Sequence, residues 1–412
     1  MGRQSLEPVL IVEDSRSFRM LAEQQVRKAG FATKTCTCLA ETRDVLDHHT
    51  TFLCAILDYN LPDAHHGEVI DLCLAAGLKV VVLTASQTEK TRDEILSKPI
   101  IDYIPKDSSH CIDAVCRLIK RLADNQGHRV LVVDDSASIR KRISALLARQ
   151  YLTVLEAENG EQALDVLERT PDISLIITDY EMPKMDGLQL VYALRKKDTE
   201  CSQAIIGLSG HNDGALTARF LKAGANDYLP KPFNQEEFFC RVHSCLNAID
   251  TEWRLFKLAN TDFLTQLWNR RYFFERCEQL ATEEPKQLAI IDIDYFKRVN
   301  DEFGHHVGDD VLVEVAHRLA DYCPEDMVAR LGGEEFCVLS CRDLTTFKQS
   351  LERYRQAIAA NPIRVLGQTL NITVSIGVDA QATTVPQLLQ MADQALYQAK
   401  ASGRNQLVVS QN

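Results

Sequence analysis

The stretch Arg330-Leu331-Gly332-Gly333-Glu334-Glu335-Phe336 joins two glycines to two adjacent carboxylates, with apolar runs on either side. Flanking runs of this kind predict a hairpin, and glycine at its turn permits positive φ and leaves no Cβ to obstruct an incoming phosphate. A second apolar run, LAIIDID at 288–294, reads as a buried strand that ends in Asp292 and Asp294. If the two strands are neighbours, Asp292 meets the glutamate pair. Carboxylates clustered beside unobstructed backbone suit Mg2+ carrying a triphosphate, where a metal neutralises the charge of a displacement at phosphorus. Lys297, Lys400 and Arg404 are available as cationic partners for the phosphate tail. Taken alone, two glycines and two acids describe a surface turn equally well.

Two further acidic groups follow strand-like runs nearer the N-terminus. Glu13, Asp14 and Asp58 form one, and Asp134, Asp135 and Asp179 the other. Three carboxylates converging at one sheet edge repel one another unless a hard divalent cation compensates, and Mg2+ with oxygen ligands is the natural candidate. Thr84 and Lys106, or Ser209 and Lys231, come from neighbouring strand ends and could hold the oxygens of a phosphoryl group.

The elements that must position these groups repeat. VLIVEDS at 9–15 matches VLVVDDS at 130–136, and AILDYNLPD at 55–63 matches IITDYEMPK at 176–184. VVLTAS at 81–86 matches IGLSGH at 206–211, and DYIPK at 102–106 matches DYLPK at 227–231. One unit of about 120 residues therefore occurs twice. Within each, short apolar runs alternate with amphipathic stretches of helical length, which predicts a parallel sheet with crossover helices. The C-terminal strand ends of such a sheet form its functional edge, where the acidic residues fall.

From Gln235 to Asn260 there is no Gly or Pro, so one continuous helix is expected. Phe239, Val242, Leu246, Ile249, Trp253 and Phe256 recur at alternating spacings of three and four, an a/d stripe. Phe239 and Val242 are expected to pack on the preceding unit; Trp253 and Phe256 lie beyond it and suit a two-chain stalk.

The whole chain sets bounds on these readings. Its 412 residues exceed one ordinary core, and 45% hydrophobic with 25% charged residues is globular composition. No apolar run approaches a membrane span, and MGRQSLEP leads straight into VLIVED without a signal-peptide core, so a cytoplasmic protein is expected. The net charge of -12 argues against broad attraction to nucleic acid or anionic membranes. The 13 cysteines are scattered, with no CxxC, and read as reduced thiols.

Residues 7–125 and 128–248 resemble the response-regulator receiver family. The resemblance implies that Asp58 and Asp179 accept phosphate from a histidine kinase, with the acidic pairs Glu13–Asp14 and Asp134–Asp135 holding Mg2+. It makes Thr84 and Ser209 switch hydroxyls, Lys106 and Lys231 phosphate partners, and Tyr103 and Tyr228 switch aromatics. The first unit departs from the pattern in having Asp107 after Lys106, where the second has Pro232, and Glu13 where the second has Asp134. One receiver serving only as a dimerisation adaptor is the alternative to two phosphorylated ones.

From about 260 to 410 the chain resembles the GGDEF family of diguanylate cyclases, through DFLTQLWNRR, DIDYFKRVND, GHHVGDDVL, RLGGEEF, SIGV and ADQALYQAKASGRNQ in the family's order. The resemblance implies metal binding by Asp292, the carbonyl of Ile293 and Glu334, with Glu335 beside them, and Mg2+ or Mn2+ as the cation. Glu334, Glu335 and Lys297 become the catalytic set, Glu334 deprotonating the attacking hydroxyl. Asn300 and Asp309 would read guanine. Phe296, Lys297, Gly332 and Gly333 would border the phosphates, with Lys400 and Arg404 at their far end; Asp294 is as readily structural. The implied reaction condenses two GTP into cyclic di-GMP across a homodimer. The family often carries an RxxD inhibition site before the motif; here those residues are Cys323-Pro324-Glu325-Asp326, and cysteine cannot supply the cation.

The expected architecture is α/β: two tandem doubly wound, flavodoxin-like receivers at 1–125 and 126–248, a helical stalk at 249–260, and at 261–412 a cyclase domain with a mixed central sheet. Two alternatives are a catalytically weak nucleotide sensor and a receiver scaffold acting through partner binding. The first should have lost a metal or guanine residue, yet none is missing.

Overall fold

The computed structural model describes residues 7–48, 51–85, 89–106, 110–197, 203–210, 214–279, 286–381 and 384–410. Asp107 lies outside them. The chain divides into two compact units, Met1–Thr251 and Glu252–Asn412.

The first unit contains the repeat. In its first half the elements run β1 Val9–Val12, α1 Arg16–Lys28, β2 Thr33–Cys36, α2 Leu39–His48, β3 Cys54–Asp58, α3 Glu68–Ala75, β4 Val80–Thr84, α4 Glu89–Ser97, β5 Asp102–Pro105 and α5 Cys111–Asn125. The second half repeats them as β6 Arg129–Val133, α6 Ala137–Arg149, β7 Thr153–Ala157, α7 Gly160–Arg169, β8 Ile173–Asp179, α8 Gly187–Lys197, β9 Ala204–Ser209, α9 Gly214–Ala223, β10 Asp227–Pro230 and α10 Gln235–Asn260. Both sheets are parallel, ordered β2-β1-β3-β4-β5 and β7-β6-β8-β9-β10. Central strands such as Cys54–Asp58 are buried along their whole length because helices cover both faces.

The two halves meet along a largely polar seam. Arg121 on α5 bonds Asn125, Asn247 and Asp250 on α10, and His128 also reaches Asp250 at 3.0 Å. Asn125 donates to the carbonyl of Gln150, and the Tyr151 hydroxyl to the carbonyl of Leu53. Buried polar groups that find such partners specify one docking geometry, since each alternative would leave them unpaired.

Helix α10 runs unbroken from Gln235 to Asn260, as the lack of Gly and Pro implies. Phe239, Val242 and Leu246 are buried in the second receiver core, with Ile249 packed against it. At the far end of the stripe Phe256 and Trp253 are placed differently. Phe256 packs within its own chain, its ring 6.1 Å from Trp268 and 5.4 Å from Tyr272, while Trp253 stacks on Phe256 and stays 56% exposed. Lys257 lies 4.0 Å over Trp268. Residues of the same domain thus take up Phe256, while the exposed Trp253 leaves the two-chain stalk an expectation.

The second unit has β11 Trp268–Asn269, α11 Arg270–Gln279, β12 Gln287–Ile293, α12 Phe296–Phe303, α13 His305–Tyr322, β13 Met327–Gly332, β14 Glu335–Ser340, α14 Leu344–Ala360, β15 Ile363–Val365, β16 Gln368–Leu370, β17 Val374–Asp379, α15 Val385–Ala401 and β18 Leu407–Val409. Six strands form a mixed sheet ordered β11-β13-β14-β12-β17-β18, its four central strands antiparallel. Its positioning contact is the approach of α15 to β17. A Cβ on Gly377 would lie 2.1 Å from the Ala392 carbonyl oxygen and 2.2 Å from the Leu396 nitrogen. Gly377→Ala is therefore expected to destabilise this unit by about 3 kcal/mol, read as a lowered denaturant midpoint, because two backbones would have to separate.

Candidate functional site

Each receiver gathers its acidic trio at the C-terminal sheet edge. One carboxylate oxygen from each of Glu13, Asp14 and Asp58 lies within 4.8 Å of the others, and the same holds for Asp134, Asp135 and Asp179. Parallel register produces this: Asp58 ends β3 opposite Leu83 and Asp179 ends β8 opposite Leu208, so Thr84 and Ser209 follow one residue on. The backbone amides of Lys106 and Lys231 donate to the carbonyls of Thr84 and Ser209. Their ammonium groups then reach back, Lys106 to Glu13 and Asp58 at 2.7 and 2.6 Å, Lys231 to Asp134 and Asp179 at 2.7 and 2.8 Å.

Burial pushes the carboxyls of Glu13 and Asp179 above the ordinary range, and the paired lysines only partly oppose it. Burial pulls the two lysines the other way, but their carboxylate partners prevail and hold them above the usual value. One ammonium thus leaves each cluster undercompensated. An all-oxygen donor set of this kind fits a hard divalent cation. Tyr228 is buried with its ring 5.8 Å from Phe220, whereas Tyr103 is only half-buried.

In the second unit β12 pairs antiparallel with β14, and Asp292 stands opposite Glu335. The turn between β13 and β14 has Gly332 at φ 147° and Gly333 at φ 56°, and neither would meet another atom within 4 Å if given a Cβ. Both are values that glycine adopts readily. Asp292 is buried, Glu334 half-buried and Glu335 exposed. Burial pushes the Asp292 carboxyl up, Lys400 opposes this, and the charges of Glu334 and Glu335 add to it. Lys400, on α15, pairs with Asp292 at 2.7 Å. The lysine expected at the phosphate tail therefore faces a metal-ligand candidate here. These carboxylates, with the carbonyl of Ile293 at the end of β12, are again hard oxygen donors.

A cleft of about 400 Å³ opens beside the turn, lined by Asp262, Asn269, Arg270, Asp309, Arg330 and the two glycines. Asn300 approaches Gly308 so closely that a Cβ there would sit 1.9 Å from its side-chain oxygen. Gly308→Ala is accordingly expected to displace Asn300 and, under the guanine-reading role the resemblance implies for Asn300, to weaken GTP binding about tenfold while sparing inorganic triphosphate, measured by competition against a fluorescent nucleotide. Lys297 is exposed on the first turn of α12. Phe296 is a core residue, so only its backbone is left to face a ligand. Asp294 is turned to structural use, accepting from Thr373 and Ser375 hydroxyls at 2.7 Å and from the Asn405 amide at 3.0 Å.

Arg330 was not singled out by sequence. Its guanidinium donates to the Gly333 carbonyl at 2.8 Å and to Asp262 at 2.9 Å, tying the turn to the segment that follows α10. Burial disfavours charge on Asp262, yet the Thr265 amide and hydroxyl and Arg330 outweigh it and hold that carboxyl low. Only opposite charge linked these two in the sequence, too common a signal to select them. Gly308 was within reach, since an isolated glycine inside a helical stretch costs about 1 kcal/mol against alanine and so points to a packing reason.

The receiver-domain family model matches residues 9–113 and 130–243, together more than half of the chain. The chain belongs to the response regulators. The family model described as diguanylate cyclase, GGDEF domain matches residues 259–406. Response regulator PleD of Caulobacter vibrioides is 34% identical over 307 residues, 69% of this chain and 66% of that protein. Diguanylate cyclase DgcP of Pseudomonas aeruginosa is 44% identical over 161 residues, 37% of this chain and 24% of that protein. The chain thus spans just under two thirds of the first relative and a quarter of the second. A crystal structure of a two-component response regulator/GGDEF domain protein superposes with TM-score 0.55 at 40% identity, covering 59% of this chain and 99% of that one. Among the described residues no helix is long and apolar enough to cross a membrane.

Proposed function

We propose that the chain is a phosphorylation-regulated diguanylate cyclase, a cytoplasmic enzyme that makes cyclic di-GMP in a homodimer. The observation that carries this is the register of Asp292 against Glu335 beside an open glycine turn, with Lys400 paired to Asp292 and a cleft lined by Asp309 and the two glycines beside that turn. In each of two equivalent steps the 3'-hydroxyl oxygen of one GTP bonds to the α-phosphorus of the other, and pyrophosphate leaves with the bonding electron pair. Glu334 takes the hydroxyl proton. Asn300 and Asp309 orient guanine, Arg404 holds the phosphate tail and is joined there by Lys400 once a cation replaces its ammonium at Asp292, and exposed Lys297 is a further phosphate partner. Asp292, the Ile293 carbonyl and Glu334 would hold Mg2+, which neutralises charge developing on the phosphate oxygens. Each domain holds one GTP, so two must face each other; alignment of reactants is a large part of such catalysis. Phosphoryl transfer from a histidine kinase to Asp58 and Asp179, with Mg2+ at the acidic pairs, would control that pairing.

The test is cyclic di-GMP formation from GTP and Mg2+ by the full chain, with and without beryllofluoride. Turnover that rises with beryllofluoride supports the reading. GTP binding without turnover in either state would favour a nucleotide sensor.

Feedback inhibition through the RxxD position is expected to be weak. Cys323 is buried, and Asp326 is already engaged by the guanidinium of Arg342. Titrating cyclic di-GMP into the assay checks this: strong noncompetitive inhibition would contradict it.

A further inference from the structure

Asp294 and Tyr295 follow the metal-ligand strand directly, yet neither side chain enters the carboxylate cluster. Both serve Arg404. The turn Gly403-Arg404-Asn405 has φ of 116°, 64° and 46°, a left-handed run that costs energy at the two non-glycine positions. Such a backbone persists only where its surroundings over-determine it. Asn405 is fixed from both sides: its amide donates to Asp294 at 3.0 Å, and its carbonyl and side-chain oxygens accept from Arg355 at 2.8 and 2.7 Å. Asp294 is in turn anchored to β17 through Thr373 and Ser375.

Tyr295 acts on the side chain. It caps α12 in a left-handed conformation with φ 57° and remains 55% exposed, although aromatic rings usually gain by burial. Its exposed face is used by the Arg404 guanidinium, which lies 4.4 Å over the ring while Nη1 donates to the phenol oxygen at 3.2 Å. Arg298 approaches the same ring at 5.8 Å. A guanidinium stacked and hydrogen-bonded in this way has lost its rotamer freedom before a ligand arrives, and the ordering cost is not charged to binding.

We infer that Tyr295, with Asp294 behind it, is a positioning residue that presents Arg404 to the terminal phosphates of the nucleotide. This rests on the cyclase reading of the same site. Because Tyr295 is largely exposed, its substitution tests the idea without removing a core residue.

The experiment measures affinity of the full chain for GTP and for GMP, with Ca2+ in place of Mg2+, in Tyr295→Ala, Tyr295→Phe, Arg404→Ala and the Tyr295→Ala/Arg404→Ala double variant. Tyr295→Ala should weaken GTP about tenfold and leave GMP unchanged, and Tyr295→Phe, which keeps the ring, should recover part of the loss. In the Arg404→Ala background Tyr295→Ala should add nothing. Additive losses, or equal losses for GTP and GMP, overturn the positioning role alone. Parent protein that binds no GTP overturns the cyclase reading and this inference with it.

Discussion

Glu334→Gln is expected to lower cyclic di-GMP turnover by about a thousandfold, or ~4 kcal/mol of transition-state stabilisation. The substitution keeps the size of the side chain and its position after Gly333, and removes the charge that both a divalent cation and the attacking hydroxyl require. Glu335→Gln should cost less, because Glu335 is exposed while Glu334 is half-buried beside Asp292. GTP affinity measured with Mg2+ should fall alongside turnover in the Glu334 variant, and its melting temperature should not. Turnover within tenfold of the parent would remove Glu334 from the proton-transfer role and leave it, at most, an accessory to metal binding.

Replacing the acceptor aspartates is expected to give the second large effect. Parent protein treated with acetyl phosphate should gain two phosphoryl groups by intact mass, Asp58→Asn and Asp179→Asn one each, and the double variant none. Stimulation of turnover by beryllofluoride, expected at about tenfold or more from the alignment it produces, should vanish in the double variant. The two sites are built alike, each with an acidic trio and one lysine bridging two carboxylates. That likeness is why both are expected to react. A single variant that already abolishes all labelling would instead make the other receiver a docking module.

Much of this arrangement was legible in the sequence because it follows from strand ends. A parallel sheet delivers Asp58, Thr84 and Lys106 to one edge whatever the loops do, and an antiparallel hairpin beside a strand delivers Glu335 to Asp292. The continuous helix α10 was legible for an equally local reason, its lack of Gly and Pro. What escaped was side-chain choice among several partners. Asp294 resembles Asp292 in type and, two residues on, shares its strand parity, yet it lies just past the end of β12, where the Thr373 and Ser375 hydroxyls and the Asn405 amide take up its carboxylate. Phe256 had a stripe to join and a domain to pack on, and the aromatic residues Trp268 and Tyr272 decided it. Lys400 could pair with phosphate or with carboxylate, and only the closeness of α15 to β17 shows which is within reach.

Lys106, Lys231 and Lys400 each place an ammonium against a carboxylate of a candidate cation-binding edge. All three edges are therefore internal salts in the resting chain, and loading any of them is an exchange of one counter-ion for another. Buried acids with no such partner would repel and loosen the strands that carry them. With it, depletion of divalent ions should silence the protein without unfolding it. A chelated sample should keep its full melting transition and regain function when the metal is returned, so availability of the cation acts as a reversible throttle on all three edges at once.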